Sequence, residues 1–162
     1  MQEMPTHADL ALIKETIPHR SPFLMIDEVI NIDSYKSGVG IKNVSKDDPI
    51  LAGHFPEDPV FPGVLIIEAM GQTAGLVAGL GMRALGAGGP AGRVALMTID
   101  KVRLKHPVYG GDRLELHMQT LRGGPGARIW TFQGEARVGD RIVCLAEFNG
   151  MHDTSQGRPP EA

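Results

Sequence analysis

The chain has 162 residues and a mass of 17.4 kDa, a length that favours one domain and leaves no room for two ordinary ones. Apolar residues make up 42% and charged residues 22%, so a packed core is feasible and global disorder is disfavoured. Sixteen Lys and Arg against nineteen Asp and Glu leave a net charge of −3, which argues against a general nucleic-acid binder, and the single cysteine, Cys144, excludes an intramolecular disulfide and a cysteine-rich zinc site.

Residues 1–7 read as a loose, flexible leader. They lack the basic-then-apolar pattern of a secretory signal, which points to a cytoplasmic protein. One domain is expected over residues 8–152, with a frayed tail over 153–162. Residues 8–16 predict a short helix, stopped before Pro18. Residues 23–32 and 35–44 are β-like, with the turn-prone pair Asp33-Ser34 between them. From 47 to 63 the chain carries Pro49, Gly53, Pro56, Pro59, Pro62 and Gly63, and so many breakers predict a shaped loop without regular structure.

From Val64 to Met82 the only charged residue is Glu68. Nineteen residues span roughly 28 Å as a helix, and Pro62 suits its first turn because its missing N–H has no partner there. A membrane span is disfavoured, since an ionised Glu68 and Gln72 are costly in lipid. A core helix wrapped by a sheet is favoured. Gly71, Gly75 and Gly79, four apart, predict a smooth stripe where another element approaches closely. The glycine-rich residues 86–92 end the helix.

The remainder is β. Residues 93–105 supply a first strand. In residues 112–120, Leu114, Leu116 and Met118 alternate with Arg113, Glu115, His117 and Gln119, giving one buried and one wet face. Residues 127–138 and 142–151 follow, with Gly-containing turns between, and Cys144 reads as a small core residue of the last strand. Four strands in meander-like succession after an all-apolar helix predict an antiparallel sheet curled around it. Its edge strands are protected by pairing across a two-fold axis, so a homodimer is expected.

Three features carry chemistry. Glu68 sits alone in an uncharged helix, where desolvation raises a carboxyl's pKa and suits it to donate a proton. It is equally readable as a structural carboxylate bonded to Gln72, one turn onward. His54, in Gly53-His54-Phe55-Pro56, is a base if neutral, or a loop histidine tied to backbone. Gly63 and Val64 follow Pro62, so their N–H groups fall among the open donors of a helix N-terminus and can polarise a carbonyl. A base, an acid and an oxyanion site suggest removal of a proton α to a thioester carbonyl with loss of a β leaving group. His7, His19, His106, His117 and His152 show no metal-ligand spacing, and the glycine-rich runs match no phosphate-binding pattern. Lys101, Arg103 and Lys105 alternate with Val102 and Leu104, placing three cations on one strand face; this is a solvated face or a docking stripe for an acidic partner.

Residues 17–27 (Ile-Pro-His-Arg-Ser-Pro-Phe-Leu-Met-Ile-Asp), Lys42-Asn43-Val44-Ser45, Gly53-His54-Phe55-Pro56, Phe61-Pro62-Gly63-Val64-Leu65 and Glu68-Ala69-Met70 with Gln72 resemble the β-hydroxyacyl-acyl carrier protein dehydratases of bacterial type II fatty acid synthesis. The resemblance runs from about residue 10 to 151. It implies an α+β hot-dog fold, a curved antiparallel sheet around a long central helix, in homodimers assembled as a trimer of dimers. It implies His54 as base and Glu68 of the partner subunit as acid. Gly63 and Val64 would bind the thioester carbonyl, with Phe55 and Gln72 also in the substrate-binding set. The implied substrate is a (3R)-hydroxyacyl chain on the phosphopantetheine arm of acyl carrier protein, dehydrated to the trans-2-enoyl thioester without metal or diffusible cofactor. That acidic carrier protein is a partner for Lys101, Arg103 and Lys105. Glutamate at position 68, where the related dehydratase-isomerases carry aspartate, resembles the dehydratase-only branch. Ala95-Leu96-Met97 departs from the aromatic tunnel gate common in the family. An acyl thioesterase on the same scaffold, or a non-catalytic acyl-thioester binder, is the alternative. The chain is not expected to enter a membrane or bind nucleic acid.

Overall fold

The elements run α1 Leu10–Thr16, β1 Glu28–Asp33, β2 Ser37–Asn43, α2 Pro49–Gly53, α3 Gly63–Ala84, β3 Arg93–Leu104, β4 Arg113–Arg122, β5 Ile129–Val138 and β6 Arg141–Asp153, in a computed structural model that describes residues 3–86 and 93–153. The six strands form one antiparallel sheet in the order β1-β2-β4-β5-β6-β3. β4, β5 and β6 make the expected meander, but β3 does not lead it. β3 lies beyond β6 at the far edge, and the chain returns from there to place β4 beside β2. The helix between β2 and β3 explains this: 22 residues span ~33 Å, enough to carry the chain across the sheet.

α3 packs against β2 through β6 and against α1. Among its residues only Val64 and Arg83 are exposed. Its length and composition would also suit a bilayer, but the sheet already sheathes it. The glycine stripe is closely packed at one of its three positions: a Cβ on Gly79 would come within 3.0 Å of Thr16 of α1, whereas Cβ atoms on Gly71 and Gly75 would meet Leu96 and Val94 at ordinary contact, 3.8 and 3.9 Å. Closer still is the approach to β2 and the turn before it: a Cβ on Gly38 would come within 2.7 Å of Val77, one on Gly40 would overlap Thr73, and one on Gly81 of the helix would come within 2.5 Å of the Tyr35 backbone nitrogen.

The period-two pattern of β4 buries Leu114, Leu116 and Met118 as expected. Trp130, Phe132 and Phe148 continue that inner face as an aromatic row, with centroids 5.9 and 5.7 Å apart. Cys144 lies in the same core, fully buried.

Four expectations need correction. Residues 23–27 are not strand, because Phe23 and Leu24 N–H groups bond to Arg20 O and the Met25 N–H is taken by the Gln72 side chain. The breaker-rich loop contains one helical turn, α2, started by Pro49 and capped by the Asp48 carboxylate on Ile50 N–H. The leader is tied down from Thr6, whose carbonyl accepts from Ile32 N–H at 3.0 Å, and Ala8 exchanges two backbone bonds with Val29. These residues cover the β1 edge. The fourth is the single cationic face of β3, which a bulge between Asp100 and Arg103 breaks. The glycine-rich loop from residue 87 to 92 and the expected tail from residue 154 lie outside the described residues.

At the other edge of the sheet, no described strand pairs with the outer side of β3. Leu96, Met97, Ile99, Val102 and Leu104 are all exposed there, between 37% and 55%. An uncovered edge strand rich in apolar side chains is a pairing surface.

Candidate active site

His54 ends α2 and begins a loop closed on itself. Its carbonyl accepts from Val60 N–H at 2.7 Å, and Phe55 and Asp58 exchange two backbone bonds at 3.1 Å. Phe61 then pairs with Val108, which anchors the loop exit. The ring Nδ1 lies 2.8 Å from the Val60 carbonyl oxygen. A carbonyl oxygen only accepts, so Nδ1 carries the proton and the neutral ring keeps its lone pair on Nε2. The loop thus sets both the ring's direction and its tautomer. Phe55 stacks on that ring at 4.2 Å between centroids and is 55% exposed, leaving its outer face open to a ligand.

Glu68 projects from the second turn of α3, 22% exposed. One turn on, Gln72 is buried and uses its whole amide: Oε1 accepts from Met25 N–H at 2.8 Å, and Nε2 donates to Phe23 O at 2.9 Å and to Glu68 Oε1 at 3.0 Å. Gln72 was expected in the substrate-binding set. Its amide holds Glu68 and fastens residues 23–25 to the helix.

His19, set aside on metal spacing, reaches the same carboxyl, with Nε2 3.6 Å from Glu68 Oε1. Burial holds its pKa below the usual histidine value, with the negative Glu68 opposing and Arg20 adding to the shift. Its backbone is fixed by Arg20, whose guanidinium donates to Lys14 O, Ile17 O and His19 O at 2.7–3.0 Å. The available signal is its place between Pro18 and Pro22, inside a segment that resembles the dehydratases. Among the described residues no hydrogen bond or ion pair joins His54 to Glu68 within one chain.

At the start of α3, backbone bonding begins with Leu65 and Ile66 N–H on Pro62 O, and no side chain caps the helix. Among the described residues the N–H groups of Gly63 and Val64 have no hydrogen-bond partner, as expected in the first turn of a helix. Val64 is 70% exposed. A cavity of about 230 Å³ opens beside them, lined by Val60, Gly63, Ile66, Leu104, Lys105 and His106 among others. A Cβ at position 63 would come within 2.6 Å of Leu104 Cδ1, the tip of an exposed side chain that can turn aside.

The three cations do not share one clean face. β3 is bulged between Asp100 and Arg103, with Lys101 in the left-handed region at φ 51°. Lys101 Nζ lies 3.3 Å from Glu147 Oε2, Arg103 stands opposite Leu145, and Lys105 borders the Gly63 cavity.

A family profile described as a FabA-like domain matches residues 17–147. The chain is 45% identical to the 3-hydroxyacyl-[acyl-carrier-protein] dehydratase FabZ of Ruegeria sp. (strain TM1040) over 146 residues, 90% of this chain and 89% of that one. It is 42% identical to the enzyme of the same name from Jannaschia sp. (strain CCS1), over 99% of this chain and 98% of the relative. Among solved structures, the dehydratase heterocomplex ApeI:P of Xenorhabdus doucetiae superposes with a TM-score of 0.75 at 22% identity, covering 88% of this chain and 91% of that one, a likeness of fold.

Proposed function

The chain belongs to the FabA-like domain family as a hot-dog 3-hydroxyacyl-[acyl-carrier-protein] dehydratase of fatty acid synthesis, a carbon–oxygen lyase, and from that premise we propose how its residues divide the work. His54 Nε2 removes the α-proton of a (3R)-hydroxyacyl thioester. The C–H electron pair becomes the C2–C3 double bond, the C3–O bond breaks, and Glu68 supplies the proton with which the hydroxyl leaves as water. The open N–H groups of Gly63 and Val64, at the positive end of α3, hold the thioester oxygen as charge builds on it. The product is the trans-2-enoyl thioester. His54 ends protonated and Glu68 ionised, and solvent exchange restores both.

The observation that carries this reading is the Val60 carbonyl on His54 Nδ1, which leaves a bare lone pair on Nε2 in a loop too constrained to turn it away. Glu68 comes from the partner subunit. The exposed apolar β3 edge pairs two copies, and the family resemblance extends this to a trimer of dimers. Arg103 and Lys105 receive the acidic acyl carrier protein beside the Gly63 cavity, with Lys101 contributing less because Glu147 faces it. Phe55 flanks the acyl arm. An acyl-carrier substrate supports a cytoplasmic location.

The test is turnover of 3-hydroxyacyl carrier protein by His54→Ala and Glu68→Ala, with assembly checked by light scattering. Each variant is expected to lose ~10²-fold or more while staying assembled, the scale of a lost general acid or base. Enone absorbance should rise without thiol release; thiol release instead would make the chain a thioesterase, and wild-type rates in either variant would remove that residue from the mechanism.

A further inference from the structure

Glu68 has two oxygens, and the structure treats them differently. Both Gln72 Nε2, at 3.0 Å, and His19 Nε2, at 3.6 Å, face Oε1. Among the described residues no hydrogen-bond or ion-pair partner is found on Oε2. In a protonated carboxyl the carbonyl oxygen is the better acceptor, so an N–H on Oε1 directs the transferable proton to Oε2, the unengaged side. We propose that His19 is a positioning residue for Glu68: with Gln72 it clamps Oε1, as a neutral imidazole, and leaves Oε2 to carry the proton that is delivered. This rests on the reading of Glu68 as the acid.

The surroundings of His19 favour the neutral state. Its Nδ1 is buried and, among the described residues, has no hydrogen-bond partner. An imidazolium would bury a second N–H with no acceptor, which costs more than an idle lone pair. The single remaining proton belongs on Nε2, which lies 3.6 Å from Glu68 Oε1, a little beyond hydrogen-bond length in this structure. The charged groups that face His19 are Glu68 from α3 and Arg20 from its own loop; burial outweighs the attraction of Glu68 and keeps the imidazole's pKa low. Neutrality matters, because a full cation at this distance would favour the ionised carboxylate, which has no proton to give. The clamp is also rigid. Phe23, whose carbonyl takes the Gln72 amide, stacks on the His19 ring at 6.5 Å, and Arg20 pins the His19 carbonyl, so the two halves of the clamp share one loop.

The experiment compares His19→Ala, His19→Gln and His19→Lys in the full-length assembled enzyme, by kcat, KM and pH–rate profile on a 3-hydroxyacyl carrier protein. Glu68→Gln and the double variant His19→Ala/Glu68→Gln run alongside. His19→Ala should lower kcat by ~10- to 100-fold, a share of the ~10²–10⁴-fold that a general acid contributes, with KM nearly unchanged. His19→Gln, a neutral donor of similar reach, should recover most of that loss. His19→Lys should not, and its pH optimum should move. In the double variant the His19 change should cost almost nothing further, because the group it positions is gone. Wild-type kcat and pH profile in His19→Ala overturn the proposal, as does equal activity of the Gln and Lys variants. Should His19→Ala fail to assemble, the Gln–Lys comparison decides alone. Full activity in Glu68→Gln would instead overturn the acid assignment, an outcome distinct from a failure of His19.

Discussion

Replacing Gln72 with methionine keeps the length and apolar volume of a side chain that is only 2% exposed, and removes its three hydrogen bonds at once. The Met25 N–H is left buried without an acceptor, at a cost of ~1–3 kcal/mol, and the bond to Phe23 O forfeits ~0.5–1.5 kcal/mol. The bond to Glu68 adds little to stability, because that carboxyl is 22% exposed and water replaces the amide. The sum is ~1.5–4.5 kcal/mol. A chain of this size loses ~2–4 °C of Tm per kcal/mol, so the melting midpoint should fall by ~3–18 °C. Activity should fall further than stability explains, because residues 19–25 and Glu68 lose their common tie. Thermal denaturation and steady-state kinetics at a temperature well below both midpoints separate the two effects. A variant that melts within ~2 °C of the parent would refute the claim that this amide holds the loop to the helix.

Cys144 is fully buried, and burial pushes its thiol up to about 11; a thiol reagent at pH 8 should leave native protein unmodified and label it on unfolding. His19 binds its proton less readily folded than unfolded, so as pH falls below its ordinary value of 6.5 the unfolded chain takes up the proton first and stability declines. Melting curves between pH 5 and 7 should therefore be flatter for His19→Gln than for the parent, and parallel curves would contradict the shift. Ile99→Lys places a charge on the bare β3 edge, where Ile99 is 48% exposed; light scattering should report the mass of one chain and turnover should collapse, and an unchanged mass would move the subunit contact elsewhere.

Local chemistry made much of this protein legible. The uncharged run after Pro62 announced α3, the alternation from Leu114 to Met118 announced β4, and His54, Gly63 and Glu68 stood out because breakers, a helix start and an apolar helix each make such a residue conspicuous within a few positions of itself. Gln72 bonded to Phe23 and Met25 was not legible, because those contacts join residues 49 and 47 apart and no periodicity encodes them. The same holds for His19 against Glu68, for Thr6 on the β1 edge, and for the placement of β3 beyond β6. The bulge at Lys101 broke an alternation that had placed three cations on one face. Secondary structure follows from short-range spacing, which a linear chain displays openly; which edge stays bare, and which neutral imidazole faces a carboxyl, depends on contacts that exist only after distant segments have packed.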